Sequence, residues 1–237
     1  MADFKTHLSV AGSLSGTTAI GCLYAGLAAP TDVLLLFALG TIGGILPDID
    51  SDHSIPVNLL FSSLATLAAF FSVFSRIHTY SLVEAILLWV AVFFFVRYLV
   101  FELFKRFTVH RGVFHSLLAA VFFCFLCATV LHVAFALPSV LSWLSGVFIL
   151  FGYVIHLVLD ELYSVDMVGV RLKKSFGTAL KPISFGDMKA SLALVVATLA
   201  VYLVVPELAS FIQEIGDVKL YEALKDSLLP RNGWFGF

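Results

Sequence analysis

The sequence predicts an all-α fold, a polytopic transmembrane helix bundle of about seven helices. Two observations lead there. Hydrophobic residues make up 60% of the 237-residue chain and charged residues only 13%, with a mean hydropathy of +1.02. A soluble domain is nearer half apolar and a quarter charged, and one core of this size has no room for the excess, whereas a bilayer accepts it. The apolar residues also fall into separate stretches near the roughly 20 residues a spanning helix needs. Barrel strands are about 10 residues long and alternate in polarity, so each stretch is read as a helix. The net charge of −2 gives no sign of a nucleic-acid partner.

The expected spans run over residues 8–29, 33–47, 57–75, 82–104, 116–137, 139–159 and 190–212. The second is short and tilts little or is partly re-entrant; the fourth has Glu84 and Arg97 inside its limits. Residues 1–212 form the expected membrane-embedded domain. Residues 213–237 form a tail whose Leu220, Tyr221, Leu224, Leu228 and Leu229 suit an amphipathic interfacial helix. Pro30, Pro56 and Pro138 fall between spans, where breaking a helix costs least. Gly12-x-x-x-Gly16 and Gly40-x-x-x-Gly44 put small residues on one helix face, as close helix packing requires. The start of the chain, Met1 to Thr6, lacks the basic run and compact Leu-rich core of a cleavable signal and reads as mature sequence. Cys22, Cys124 and Cys127 lie in apolar stretches; Cys124-x-x-Cys127 has no second pair and reads as packing.

Lysine and arginine set the expected orientation. With seven spans, the N-terminus shares a side with the loops 48–56, 105–115 and 160–189. That side carries Lys5, Lys105, Arg106, Arg111, Arg171, Lys173, Lys174, Lys181 and Lys189, against Arg76, Lys219, Lys225 and Arg231 opposite. The richer side, with the N-terminus, is expected to face the cytoplasm.

The same side gathers the metal-binding residue types. His7 precedes the first span, Asp48 and Asp50 follow the second, His110 and His115 open the fifth, and His156 and Asp160 close the sixth. A bundle brings such helix ends together. His156-x-x-x-Asp160 places imidazole and carboxylate on one helix face, a pair that zinc accepts; otherwise it is an interfacial histidine beside a solvated carboxylate. The apolar turn around His156 favours a ligand, since an ionisable group at lipid depth is costly and usually functional. Asp48, Asp50 and Asp52 alternate along one stretch, and close carboxylates repel unless a cation or proton sits among them. A solvated acidic turn is the plainer reading. An EF-hand is excluded, because its glycine and terminal glutamate are missing. In His110-Arg111-Gly112-Val113-Phe114-His115-Ser116, Arg111 can fork onto phosphate, or the stretch is a basic interfacial loop. Ser116 lacks the G-x-S-x-G setting of a nucleophile elbow.

Four stretches in order resemble the LexA-binding, inner-membrane-associated metal-dependent hydrolases. They are Thr6-His7, Leu46-Pro47-Asp48-Ile49-Asp50, His110 to Ser116, and Gly152-x-x-x-His156-x-x-x-Asp160. The resemblance spans about residues 1–185, and Lys173 to Lys181 is similar to one branch of that family. Phe114 departs from it, since the family usually has threonine there. The family is distantly similar to zinc-dependent phospholipases C and single-strand nucleases, which implies phosphoester hydrolysis. The implied metal ligands are His7, Asp48, Asp50, His110, His115, His156 and Asp160, holding divalent zinc, or else manganese or iron. Asp48 or Asp50 would bridge neighbouring ions, and Arg111 with Lys173 or Lys174 would stabilise phosphate charge. The implied partner is a membrane lipid, with a phospholipid as substrate.

Two other classes compete. A transporter would use Glu84 and Arg97 as pathway residues, yet the polar residues concentrate at one edge and no repeated halves are visible. A non-catalytic membrane adaptor would hold a structural metal in a closed ligand shell and bind a partner through its tail.

Overall fold

Backbone facing lipid must satisfy its N–H and C=O groups within its own segment, which an α-helix does. The computed structural model of the chain describes residues 3–50, 55–74, 80–102, 113–166, 171–172, 180–184 and 186–228. These residues are all-α in architecture. In order they form α1 (Phe4–Ala25), α2 (Val33–Gly43), a 3-10 turn (Leu46–Asp50), α3 (Ile55–Phe74), α4 (Leu82–Phe94, continued by a π-helical segment Phe95–Val100), α5 (Leu117–Phe135) and α6 (Ser139–Ser164). A two-residue antiparallel pairing of Val165–Asp166 with Arg171–Leu172 follows, then α7 (Met188–Tyr202), α8 (Ala209–Ile215) and α9 (Val218–Ser227).

Among the described residues, four helices are long and apolar enough to cross a membrane: Phe4–Ala25, Leu82–Val100, Leu117–Phe135 and Ser139–Ser164. The expected count of seven complete spans is not reached there. α2 stops after 11 residues at Gly43, where paired glycines and Pro47 loosen the helix into a 3-10 turn. The expected seventh span divides: α7 ends after 15 residues at Tyr202, and α8 begins beyond Pro206.

Local signals place the helix starts. The Asp3 carboxylate accepts from Thr6 N at 2.9 Å, capping α1. Ser81 and Glu84 form a reciprocal capping box on α4: Ser81 N donates to Glu84 Oε2 at 2.8 Å and Glu84 N to Ser81 Oγ at 3.4 Å. Glu84, a pathway candidate in the transport reading, is thus a cap at the helix start. Ser116 Oγ accepts from Ala119 N at 3.3 Å at the start of α5. Two further α5 amides donate to loop carbonyls, Leu117 N to Lys181 O and Leu118 N to Pro182 O, each at 3.0 Å.

The chain divides into two compact units, Met1–Pro47 with His115–Phe237, and Asp48–Phe114. In the first, α6 packs against α5, α2, α1 and α8, and α9 lies on α1. Its apolar core includes Leu36, Cys124, Trp143, Leu144, Phe148 and Phe211, and the three cysteines are free thiols. In the second unit, α3 packs against α4 and its π-helical extension.

Very small residues let α2 and α6 touch backbone to backbone. A Cβ on Gly152 would collide with Gly40 O and lie 2.8 Å from Gly44 N, and one on Gly43 would collide with Ile149 O. Gly12 and Gly16 differ. A Cβ there would meet only Phe37 and Thr41 side chains at ordinary distances of 3.4 Å or more. Only the second of the two Gly-x-x-x-Gly pairs is therefore demanded by close approach.

Candidate metal centre

The buried face of α6 includes Ser142, Ser145, Ile149, Gly152, His156, Asp160 and Ser164, at helical three- and four-residue intervals. One turn apart at the end of that face stand His156, fully buried, and Asp160, 4% exposed. The first turns of α1 bring His7 alongside, 1% exposed. His115, one residue before the Ser116 cap, enters from the start of α5. Three imidazoles thus surround one carboxylate. His7 Nε2 lies 3.2 Å from Asp160 Oδ1, while His115 Nε2 and His156 Nε2 each lie 3.6 Å from Oδ2. The His7 and His156 rings stack with centroids 3.6 Å apart and planes at 11°, and His115 meets His156 edge-on at 5.6 Å.

One contact fixes the tautomer of His156. Its Nδ1 lies 2.7 Å from Gly44 O, and a carbonyl only accepts, so Nδ1 carries the proton. In the neutral ring Nε2 then turns a lone pair toward the Asp160 carboxylate. Two electron-rich atoms face each other stably only with a proton or cation between them. A carbonyl holding the far ring nitrogen is also the usual support of a metal-binding histidine.

The donor set fits a transition-metal ion. Zinc bonds imidazole nitrogen and carboxylate oxygen at about 2.0–2.1 Å, so neighbouring ligands of a tetrahedron lie about 3.3–3.4 Å apart. The observed separations of 3.2, 3.6 and 3.6 Å bracket that value. Candidate ligand atoms of His7, His156 and Asp160 all lie within 4.8 Å of one another. Manganese and iron accept the same donors.

The structure brings together His7, His115, His156 and Asp160. Asp48 is partly buried in the 3-10 turn and opens the second unit. Asp50 closes that turn, and its side chain lies outside the described residues. His110, Arg111, Lys173 and Lys174 also lie outside them. Sequence reasoning missed the Gly44 carbonyl as the support of His156. Gly43 and Gly152 carried that signal, because they let α2 reach α6, while Gly40 and Gly44 leave room for Ser15 and Ala11 of α1.

Lipid-length helices with an imidazole–carboxylate cluster buried where α1 and α5 begin and α6 ends define an integral membrane protein with a polar centre at one end of its bundle. The chain belongs to the YdjM inner membrane protein family, which it matches over residues 3–209. No curated protein and no solved structure matches it.

Proposed function

We propose that this protein is a membrane-bound, metal-dependent hydrolase, a phosphoesterase acting on a lipid phosphate or phosphodiester at the cytoplasmic membrane face. The observation that carries the reading is the buried Asp160 carboxylate ringed by the Nε2 atoms of His7, His115 and His156. Those four residues would hold a divalent ion, zinc by preference. Asp48, Asp50 and His110 would complete the ligand set, and Arg111, Lys173 and Lys174 would meet the phosphate charge. Such an ion supplies Lewis acidity to a phosphoester oxygen. The Gly44 carbonyl fixes the His156 ring, and the His7–His156 stack holds both Nε2 atoms toward Asp160. The motifs shared with the LexA-binding hydrolases, and the more distant similarity to phospholipases C, support the reaction class. A multi-pass arrangement with a cytoplasmic N-terminus puts this end of the bundle beside lipid headgroups. The experiment is a phospholipid and phosphodiester turnover screen of metal-loaded protein beside His156→Ala/Asp160→Ala. Turnover that persists in a metal-free double variant would sink the proposal.

The near-complete burial of His7, His156 and Asp160 favours a second reading. A structural metal would tie α1 and α6 together in a non-catalytic adaptor. Metal removal would then lower thermal stability, with no turnover in any metal state.

A further inference from the structure

Within the second unit, Arg97 occupies the π-helical end of the candidate span Leu82–Val100. At 1.5 Å per residue, its backbone sits about 5 Å inside that end of the span, from where a long arginine side chain can carry its guanidinium outward toward the lipid phosphates. Its guanidinium is held in place. Nη2 donates to Asn58 Oδ1 at 3.1 Å, across from the first turn of α3. Its carbon lies 5.1 Å from the centre of the Phe101 ring and 5.5 Å from that of Tyr98. Phe101 is itself fixed, 7% exposed and 4.9 Å from the ring of Phe61.

Among the described residues, no carboxylate pairs with Arg97. A guanidinium carries five N–H donors, and Asn58 takes one. An uncompensated cation at the edge of the hydrocarbon is costly. Aromatic faces only partly offset this charge. A planar fork of donors at this depth matches the phosphate of a lipid headgroup, and net negative headgroups add long-range attraction.

We propose that Arg97 and Asn58, backed by Phe101 and Tyr98, form a binding site for the phosphate of an anionic phospholipid. The site is separate from the His–Asp centre and does not depend on the hydrolase reading. Arg97 is a lipid anchor here, with its side chain reaching Asn58 on α3.

The test uses the full chain in mixed micelles titrated with phosphatidylglycerol or phosphatidylcholine, with unfolding temperature as readout and inorganic phosphate alone as a control. Wild type should be stabilised by phosphatidylglycerol well beyond phosphatidylcholine, and phosphate alone should not reproduce the effect. Arg97→Gln should weaken the apparent phosphatidylglycerol affinity by about fivefold. Arg97→Lys, which keeps the charge and loses the fork, should fall between, as should Asn58→Ala. An unchanged phosphatidylglycerol preference in Arg97→Gln would overturn the proposal. If Arg97→Gln does not fold, wild-type affinity in both Arg97→Lys and Asn58→Ala would overturn it. Inorganic phosphate acting as well as the lipid would also overturn it.

Discussion

His156 and Asp160 sit one helical turn apart, and that spacing in the sequence is enough to put them on one face. What the spacing does not display is the carbonyl of Gly44 holding the ring. With Nδ1 committed there, Nε2 is left for a cation or proton shared with Asp160. Asp160→Asn keeps the shape of the side chain and removes its charge. It should lower metal affinity by at least about tenfold, the low end of the range for altered supporting groups, as read by competition with a chelator. His115 is the least buried of the three imidazoles, its side chain 14% exposed. His115→Ala should therefore reduce metal affinity with little change in thermal stability, whereas His7→Ala, at a fully packed position, should reduce both. Asp3 belongs to this scale as well. Its hydrogen bonds with Thr6 hold its carboxyl below the usual carboxylate range, so its cap on the helix carrying His7 persists above that range and fades as pH falls through the lowered value.

At the scale of elements, glycines decide how close the helices come. A methyl at Gly152 would collide with the Gly40 carbonyl. Gly152→Ala should destabilise by about 1–3 kcal/mol or more, as overpacking does, and should also draw Gly44 O away from His156 and weaken metal binding. Gly12→Ala has room and improves helix propensity, so it should be neutral or stabilising by up to about 1 kcal/mol. Thermal unfolding of both variants in detergent checks the contrast. The sequence presents Gly12/Gly16 and Gly40/Gly44 as equivalent patterns. They differ because Gly12 and Gly16 rest against the yielding side chains of Phe37 and Thr41, while Gly40 and Gly44 meet the short, unyielding side chains of Ser15 and Ala11 on α1. Glu84 is hidden in the same way: inside an apolar run it reads as a buried charge, but with Ser81 three residues earlier it caps α4. Ser81→Ala should cost about 1 kcal/mol.

For the whole molecule, composition is enough to specify helices and a membrane, because so much apolar surface has no other place to go. Span boundaries are legible wherever a cap or proline stands, as at Ser116 and Pro138. They are less legible at α2 and α7, where uniformly apolar residues conceal the ends and hydropathy runs on through Pro206. The gathering of His7, His115, His156 and Asp160 is legible from topology, since each lies at a helix end on one expected face. α8 marks the other end of the first unit: Phe211 stacks on Trp143, and Trp143 Nε1 donates to Pro206 O at 3.0 Å. Trp143 lies about 20 Å along α6 from His156, at 1.5 Å per residue. Single cysteines placed at Lys5 and at Lys219 in a cysteine-free background should therefore react with an impermeant thiol reagent from opposite sides of the membrane, and the proposed orientation puts Lys5 on the cytoplasmic one. Labelling of both from one side would contradict this arrangement.

The most direct measurement is the metal content of detergent-purified full-length protein, wild type beside His156→Ala/Asp160→Ala, with folding checked by helical content and elution volume. The expected result is near-stoichiometric zinc, or manganese or iron, in wild type and its loss from a folded double variant. Wild type that stays metal-free after supplementation, or a double variant that keeps the full complement, would contradict a metal centre at Asp160.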